Sequence, residues 1–129
     1  GLTVLRDDYV AAAQRCFSDG QLLLRAARFA NATHLFGLGA ECALKVLLQG
    51  HPGVVEVRQA HLPELRDHAR KTLCRRQDVG IQQLLNKTDY MDGWKIESRY
   101  WPDAAFSEDR CRLHWDHCRR TLIAANLGA

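Results

Sequence analysis

The sequence lacks several patterns that would assign it to a class directly. No apolar run reaches the length of a membrane span, because His34, Glu41 and Lys45 interrupt the longest one, so we expect no membrane segment. No segment alternates apolar and polar residues as a half-buried strand does. The net charge is only +3, which argues weakly for a nucleic-acid partner by itself. The five cysteines lack the spacing of a disulfide framework, which favours free thiols in a reducing cytoplasm.

The length and composition predict one folded domain over residues 1–129. A hydrophobic fraction of 47% and a charged fraction of 26% are ordinary for a globular protein and argue against disorder. The early charges Arg6, Asp7 and Asp8 do not resemble a secretory signal, so we expect a cytoplasmic protein.

Helical periodicity accounts for most of the chain and predicts an all-α fold, an antiparallel four- to five-helix bundle. The pattern predicts a first helix over about 7–29 and a second helix from an N-cap at Asn31 to a stop at Gly50 and Pro52. After a loop over 51–60, it predicts a third helix from Pro63 to about Arg75 and a short fourth helix after Asp78. A long ordered loop over 86–103 then leads to a last helix that Ser107 caps. Gly20, Gly37 and Gly39 lie inside these helices, which predicts that neighbouring groups approach closely there.

The second helix is apolar on nearly every side, yet it carries one polar stripe. At about 100° per residue, His34, Glu41 and Lys45 fall on one face. One interpretation is an internal clamp, in which Glu41 and Lys45 form a salt bridge that also accepts Arg99 or Tyr100 from the long loop. The other is a pocket lined by the same five residues that receives a nucleotide or phosphate.

The ordered motifs of the chain resemble those of HEPN domains, the "higher eukaryotes and prokaryotes nucleotide-binding" helical bundles. The run ECALKVLL over 41–48 is similar to the family's E-C-A-L-K-A-L-L signature. His61-Leu62 with Leu65 resembles its G-H-x-L-x-x-L element, with Ala60 in place of the glycine, and Trp94 with Arg99-Tyr100 and Pro102 resembles its W…R-Y-x-P element. The resemblance spans about residues 7–127.

The resemblance implies a protein that forms a homodimer, associates with RNA or nucleotides and is of a toxin or defence type. Many HEPN domains are metal-independent endoribonucleases with an arginine and a histidine near the start of the last helix, and Arg112 and His117 match that Arg-x4-His spacing. Others are non-catalytic interaction modules or partners of nucleotidyltransferases, and an antitoxin is a further expected partner. In cleavage, the histidine would move a proton and the arginine would stabilise the phosphorane charge.

The last helix leaves alternatives open. Arg112 and His117 are about 140° apart on a helical wheel, so only a two-fold dimer could bring two such pairs into one cleft; the alternative is a solvated basic face. Arg110 and His114 share a face and form a competing pair for binding a nucleotide. A zinc site would use Cys111, His114, His117 and Cys118, but buried thiols and a hydrogen-bonded histidine are the simpler interpretation, so we expect neither metal nor cofactor.

Two further groups are candidates for nucleic-acid contact. Arg75 and Arg76 end a basic run that begins at Arg70 and Lys71, and this run is the best candidate for contact with a phosphate backbone. Aromatic residues alternate with basic ones in the long loop. They can stack bases, but for Trp94 and Tyr100 we favour a structural role that pins the loop to the bundle.

Overall fold

The computed structural model describes residues 7–51, 57 and 59–128, and these contain helices and turns but no strand. The five helices are α1 Tyr9–Arg25, α2 Phe29–Gln49, α3 Glu64–Thr72, α4 Val79–Leu85 and α5 Glu108–Ala124. The predicted all-α bundle is therefore confirmed. The predicted stop at Pro52 and most of the predicted loop over 51–60 lie outside the described residues. No helix among the described residues is long and apolar enough to cross a membrane.

The helix ends follow the capping residues in two cases and depart from the prediction in two others. Asp8 caps α1 by accepting a hydrogen bond from the Ala11 amide at 3.0 Å, and Ser107 caps α5 as predicted. The predicted cap at Asn31 is wrong, because α2 already begins at Phe29. The first helix ends at Arg25 rather than near residue 29, because the chain turns at Ala27, whose φ is +59°.

The helix α2 lies at the centre of the bundle and packs against both α1 and α5. Because only residues 26–28 join α1 to α2, these two helices are antiparallel neighbours. The α2 side chains of Phe36, Leu44 and Leu48 are fully buried. Burying each contributes about 1.5–3 kcal/mol relative to leaving it exposed, which explains why so apolar a helix is the central one.

Glycines bring neighbouring groups close to the helices, as predicted. A Cβ on Gly20 would lie 2.6 Å from the Phe36 ring, and one on Gly37 would lie 1.8 Å from the Trp94 indole. A Cβ on Gly39 would lie 2.9 Å from the Cys118 sulfur. Neighbouring side chains therefore already fill the space beside each of these three glycines, so a larger residue at any of them would overlap with its neighbour.

The predicted long loop is ordered and contains two short 3-10 turns, at Ile96–Tyr100 and Asp103–Ala105. Its anchors are the side chains of Tyr90, Met91 and Trp94, each of which is less than 5% exposed. The Trp94 indole donates a hydrogen bond to the Thr33 carbonyl at 2.9 Å, so the structural role predicted for Trp94 is confirmed. These anchors hold the loop against α2 and against α5, where Met91 meets His117 and Tyr90 meets Thr121.

Candidate functional site

His114 joins α5 to the long loop and to α2. Its Nε2 lies 2.8 Å from the Asp92 carbonyl, which can only accept, so Nε2 carries the proton. Its Nδ1 is then the acceptor for the Thr33 hydroxyl. The pKa of His114 is lowered to about 4, mainly by burial; the hydrogen bond to the Asp92 carbonyl opposes the shift, and the nearby Arg110 adds to it. His114 is therefore neutral, and both of its ring nitrogens are engaged in hydrogen bonds.

Arg110 lies one turn before His114 and holds the same loop segment. Its Nη1 donates to the Asp92 carbonyl at 2.7 Å and lies 3.5 Å from the Asp92 carboxylate. The Arg110 side chain passes over Gly93, whose φ is +77°, and a Cβ on Gly93 would lie 2.1 Å from Nη1. Only glycine satisfies both constraints at that position. The Arg110 side chain remains about half exposed.

A cavity of about 370 Å³ lies between the long loop and the start of α5, and we call it the central cavity. Aromatic side chains form much of its wall: Trp94, Trp101 and Phe106. Its cationic side chains are Lys95 and Arg110. Ser107, the N-cap of α5, also lines it; the positive end of the helix dipole is close by, but Glu108 and Asp109 in the first turn of α5 offset its charge. Apolar walls combined with a few convergent cations are typical of a small-ligand site.

The structure does not bring Arg112 and His117 together within one chain. His117 is 1% exposed; its Nδ1 accepts the Met91 amide at 2.9 Å, and its Nε2 lies 3.8 Å from the Asp89 carboxylate. Burial lowers the pKa of His117, partly opposed by Asp89. Arg112 is exposed and pairs with Glu108 at 2.8 Å. Cleavage by this pair across a dimer stays a prediction.

The basic run at the end of α3 lies apart from the central cavity. Arg75 is tied locally, because its guanidinium lies 3.2 Å from the carboxylate of buried Asp78, which also accepts the Arg75 amide. Arg76 is exposed. Neither residue lines the central cavity. Their contact with a phosphate backbone stays a prediction.

Glu41 on the polar stripe holds the segment that precedes α3. It is 2% exposed and accepts hydrogen bonds from the Leu62 amide at 2.9 Å and from His61 Nδ1 at 3.0 Å. Burial raises the pKa of Glu41, while His61, Leu62 and Lys45 oppose the shift. Lys45 is 6% exposed, and its ammonium lies 5.5 Å from the centroid of the Tyr9 ring. This end of the stripe is therefore an internal clamp on residues 61–62.

The prediction that the stripe clamps Arg99 or Tyr100 is wrong. Tyr100 is 79% exposed, and the Arg99 guanidinium lies 4.9 Å from the centroid of its ring. Both residues are exposed at the end of the 3-10 turn Ile96–Tyr100. His34 instead stacks on Trp94, with ring centroids 6.3 Å apart. Burial lowers the pKa of His34, and Arg99 contributes electrostatically to that shift. The five stripe residues do not line one common pocket.

Among the described residues no group of three or more His, Cys, Asp or Glu side chains is placed to hold a metal ion. Cys111 and Cys118 are buried, and burial raises the pKa of both thiols. Both nitrogens of His114 are already engaged in hydrogen bonds. The geometry of these residues is that of a packed core.

Sequence reasoning missed several groups that shape the central cavity. The Asp92 carbonyl and the Thr33 hydroxyl are hydrogen-bond partners of His114. Gly93 leaves space for the Arg110 side chain because it has no Cβ. The Asp92-Gly93 pair signals a turn in the sequence, but a turn signal does not say which helix the turn packs against.

Comparison with family models, with curated proteins and with solved structures gives no match for this chain. The likeness to HEPN domains therefore rests on the sequence motifs alone.

Proposed function

We propose that this chain is a binding module that holds a nucleotide in the central cavity and does not cleave it. The observation that carries the proposal is the combination, in one cavity of about 370 Å³, of exposed aromatic surface and two cations beside the N-terminus of α5. The volume falls in the range of about 300–1,000 Å³ that is typical of small-molecule sites.

Each part of a nucleotide has a counterpart in the cavity. Trp101 is 46% exposed and lines the wall, so its indole offers a face on which a base can stack. The side chains of Lys95 and Arg110 line the same wall and supply charge for a phosphate.

The state of His117 is the reason for proposing binding rather than cleavage. A general base needs access to the proton that it removes. His117 is 1% exposed and its Nδ1 is engaged by the Met91 amide, while Arg112 is paired with Glu108. The alternative from the resemblance, an endoribonuclease that uses Arg112 and His117, has no such support.

The resemblance to HEPN domains supports the same proposal from the sequence. It implies a nucleotide-associated helical bundle that forms a homodimer. In the non-catalytic members it also implies a partner such as a nucleotidyltransferase. We propose that this chain forms a homodimer, has such a partner and acts in a system of the toxin or defence type.

Titration calorimetry with AMP tests the proposal. Base stacking on an aromatic side chain is worth about 1–3 kcal/mol, so Trp101→Ala should weaken AMP binding by about 5- to 150-fold. Tyr100→Ala is the matched control, because Tyr100 is the neighbouring aromatic residue but does not line the cavity. Absence of AMP binding to the folded wild-type protein, or equal losses in both variants, would refute the proposal.

A further inference from the structure

His61 and Glu41 form a dyad in which a buried carboxylate holds one side of an imidazole ring. The Nδ1 of His61 lies 3.0 Å from one oxygen of Glu41 and 3.2 Å from the other. The same carboxylate accepts the Leu62 amide at 2.9 Å. An ionised carboxylate can only accept, so the proton of the neutral ring is on Nδ1. The Nε2 of His61 therefore carries a lone pair.

The Nε2 of His61 faces solvent, although its partner Glu41 is buried. The His61 side chain is 40% exposed. Among the described residues Nε2 has no hydrogen-bond partner, and it is not one of their buried unpartnered atoms. Neither residue of the dyad lines the central cavity. The dyad is therefore a surface group that is separate from the proposed nucleotide site.

The backbone around His61 fixes the position of the ring. The His61 carbonyl accepts a hydrogen bond from the Leu65 amide at 2.9 Å, and the next amide, that of Leu62, is held by Glu41. The Leu62 side chain is 4% exposed and belongs to the core. Because these contacts hold both the backbone and Nδ1, little freedom remains to be lost when Nε2 reacts.

Four other histidines lack this combination of a fixed proton and an open nitrogen. Both nitrogens of His114 are engaged in hydrogen bonds, and His117 is 1% exposed. His68 has a buried Nε2 and His34 a buried Nδ1, neither with a hydrogen-bond partner among the described residues. An accessible lone pair with a third group that orients the ring is the arrangement of an activated nucleophile.

We propose that His61 is a modification site that accepts a phosphoryl group on Nε2 from a phosphoramidate, a donor whose phosphorus is bound to nitrogen. The Nε2 lone pair forms a bond to phosphorus while the phosphorus–nitrogen bond of the donor breaks, and its electron pair leaves with the amine. One such bond replaces another, so the transfer is near balance and involves no oxidation or reduction. Nδ1 keeps its proton, so the ring becomes cationic, and the Glu41 carboxylate offsets that charge across the existing hydrogen bond.

The test uses potassium phosphoramidate at pH 8, with ammonia as the leaving group. Peptide mapping by mass spectrometry locates the phosphoryl group, and phosphorus NMR identifies the ring nitrogen that carries it. His61 should react at Nε2 at least about tenfold faster in the folded protein than in the urea-unfolded chain, and faster than the other histidines, because a hydrogen bond to a charged group favours the cationic product.

Two variants separate the charge of Glu41 from its position. Glu41→Gln keeps an acceptor for the Nδ1 proton but removes the charge, so modification of His61 should slow by at least about tenfold with Nε2 still the product. Glu64→Gln is the matched control, since Glu64 is exposed and lies close to His61 in the chain but outside the dyad. It should leave the rate unchanged.

Three results would overturn the proposal. These are a His61 rate no higher in the folded than in the unfolded chain, transfer to Nδ1, and equal rates in the wild type and in a folded Glu41→Gln. If circular dichroism shows that Glu41→Gln does not fold, the comparison of folded and unfolded wild type still decides. His61→Gln, at a partly exposed position, should remove the rapid phase of labelling, and a rapid phase that persists would refute the assignment.

Discussion

Protonation of His114 should destabilise the fold within a defined pH window. The imidazole is 2% exposed and joins α5 to the Asp92 carbonyl and the Thr33 hydroxyl in its neutral form. A proton on Nδ1 would require the Thr33 hydroxyl to reverse from donor to acceptor and would bury a charge. The pKa of His114 is about 4 in the folded state, against 6.5 as its ordinary value. The unfolded chain therefore binds the proton more strongly.

The magnitude follows from proton linkage. Because the folded pKa is lowered, the stabilising contribution of neutral His114 is complete above pH 6.5 and is lost as the pH falls toward 4. Between pH 8 and pH 5 the loss from this one group is about 2 kcal/mol in the free energy of unfolding. Over the whole window it approaches about 3 kcal/mol.

Urea unfolding of the wild type and of His114→Gln at pH 8 and pH 5 measures this loss. The other histidines titrate in both proteins, so the comparison isolates His114. The wild type should lose about 2 kcal/mol more than the variant between the two pH values. Equal losses would refute the reasoning, as would an NMR titration that places the pKa of the His114 imidazole near 6.5.

Two other predictions concern packing and the last helix. Gly37→Ala should destabilise the protein by about 1–3 kcal/mol, because the new methyl group would occupy the place of the Trp94 indole. Gly80→Ala, which meets no atom within 4 Å on α4, should be neutral or stabilising in the same thermal melts, and equal effects would contradict the packing argument. His117→Ala should cost about 1–3 kcal/mol by leaving a buried amide unsatisfied, whereas Arg112→Gln should stay within about 1 kcal/mol of wild type. Loss of an RNA cleavage activity in His117→Ala with an unchanged melting temperature would instead restore the catalytic interpretation.

The sequence was sufficient for the fold because helical periodicity is a local property. The apolar spacing along the chain and the caps at residues such as Ser107 depend on near neighbours only. The errors occur at helix ends. The first helix was predicted to end too late in the sequence, because Ala27 adopts a left-handed conformation that alanine rarely adopts.

The candidate site was predictable only in part. Arg110 and His114 line the central cavity, whereas the motif residues Arg112 and His117 do not. Periodicity does not tell which loop atoms meet the side chains of α5. His114 and His117 are buried because the backbone of residues 91–92 supplies their partners, and that pairing depends on the tertiary fold. The prediction that Tyr100 pins the long loop to the bundle is wrong, because Tyr100 is 79% exposed; residue type alone does not tell which aromatic side chain of the loop is turned inward.

The hydrogen bonds between α5 and the long loop also determine how the loop exchanges its amide hydrogens with solvent. The Met91 amide has no partner in regular secondary structure and is held by the ring of His117. It can exchange only when that ring moves away, which requires α5 to separate from the loop. In deuterium exchange, Met91 should therefore be protected to the same extent as the middle of α5, so that this segment, although irregular in shape, unfolds as a part of the core.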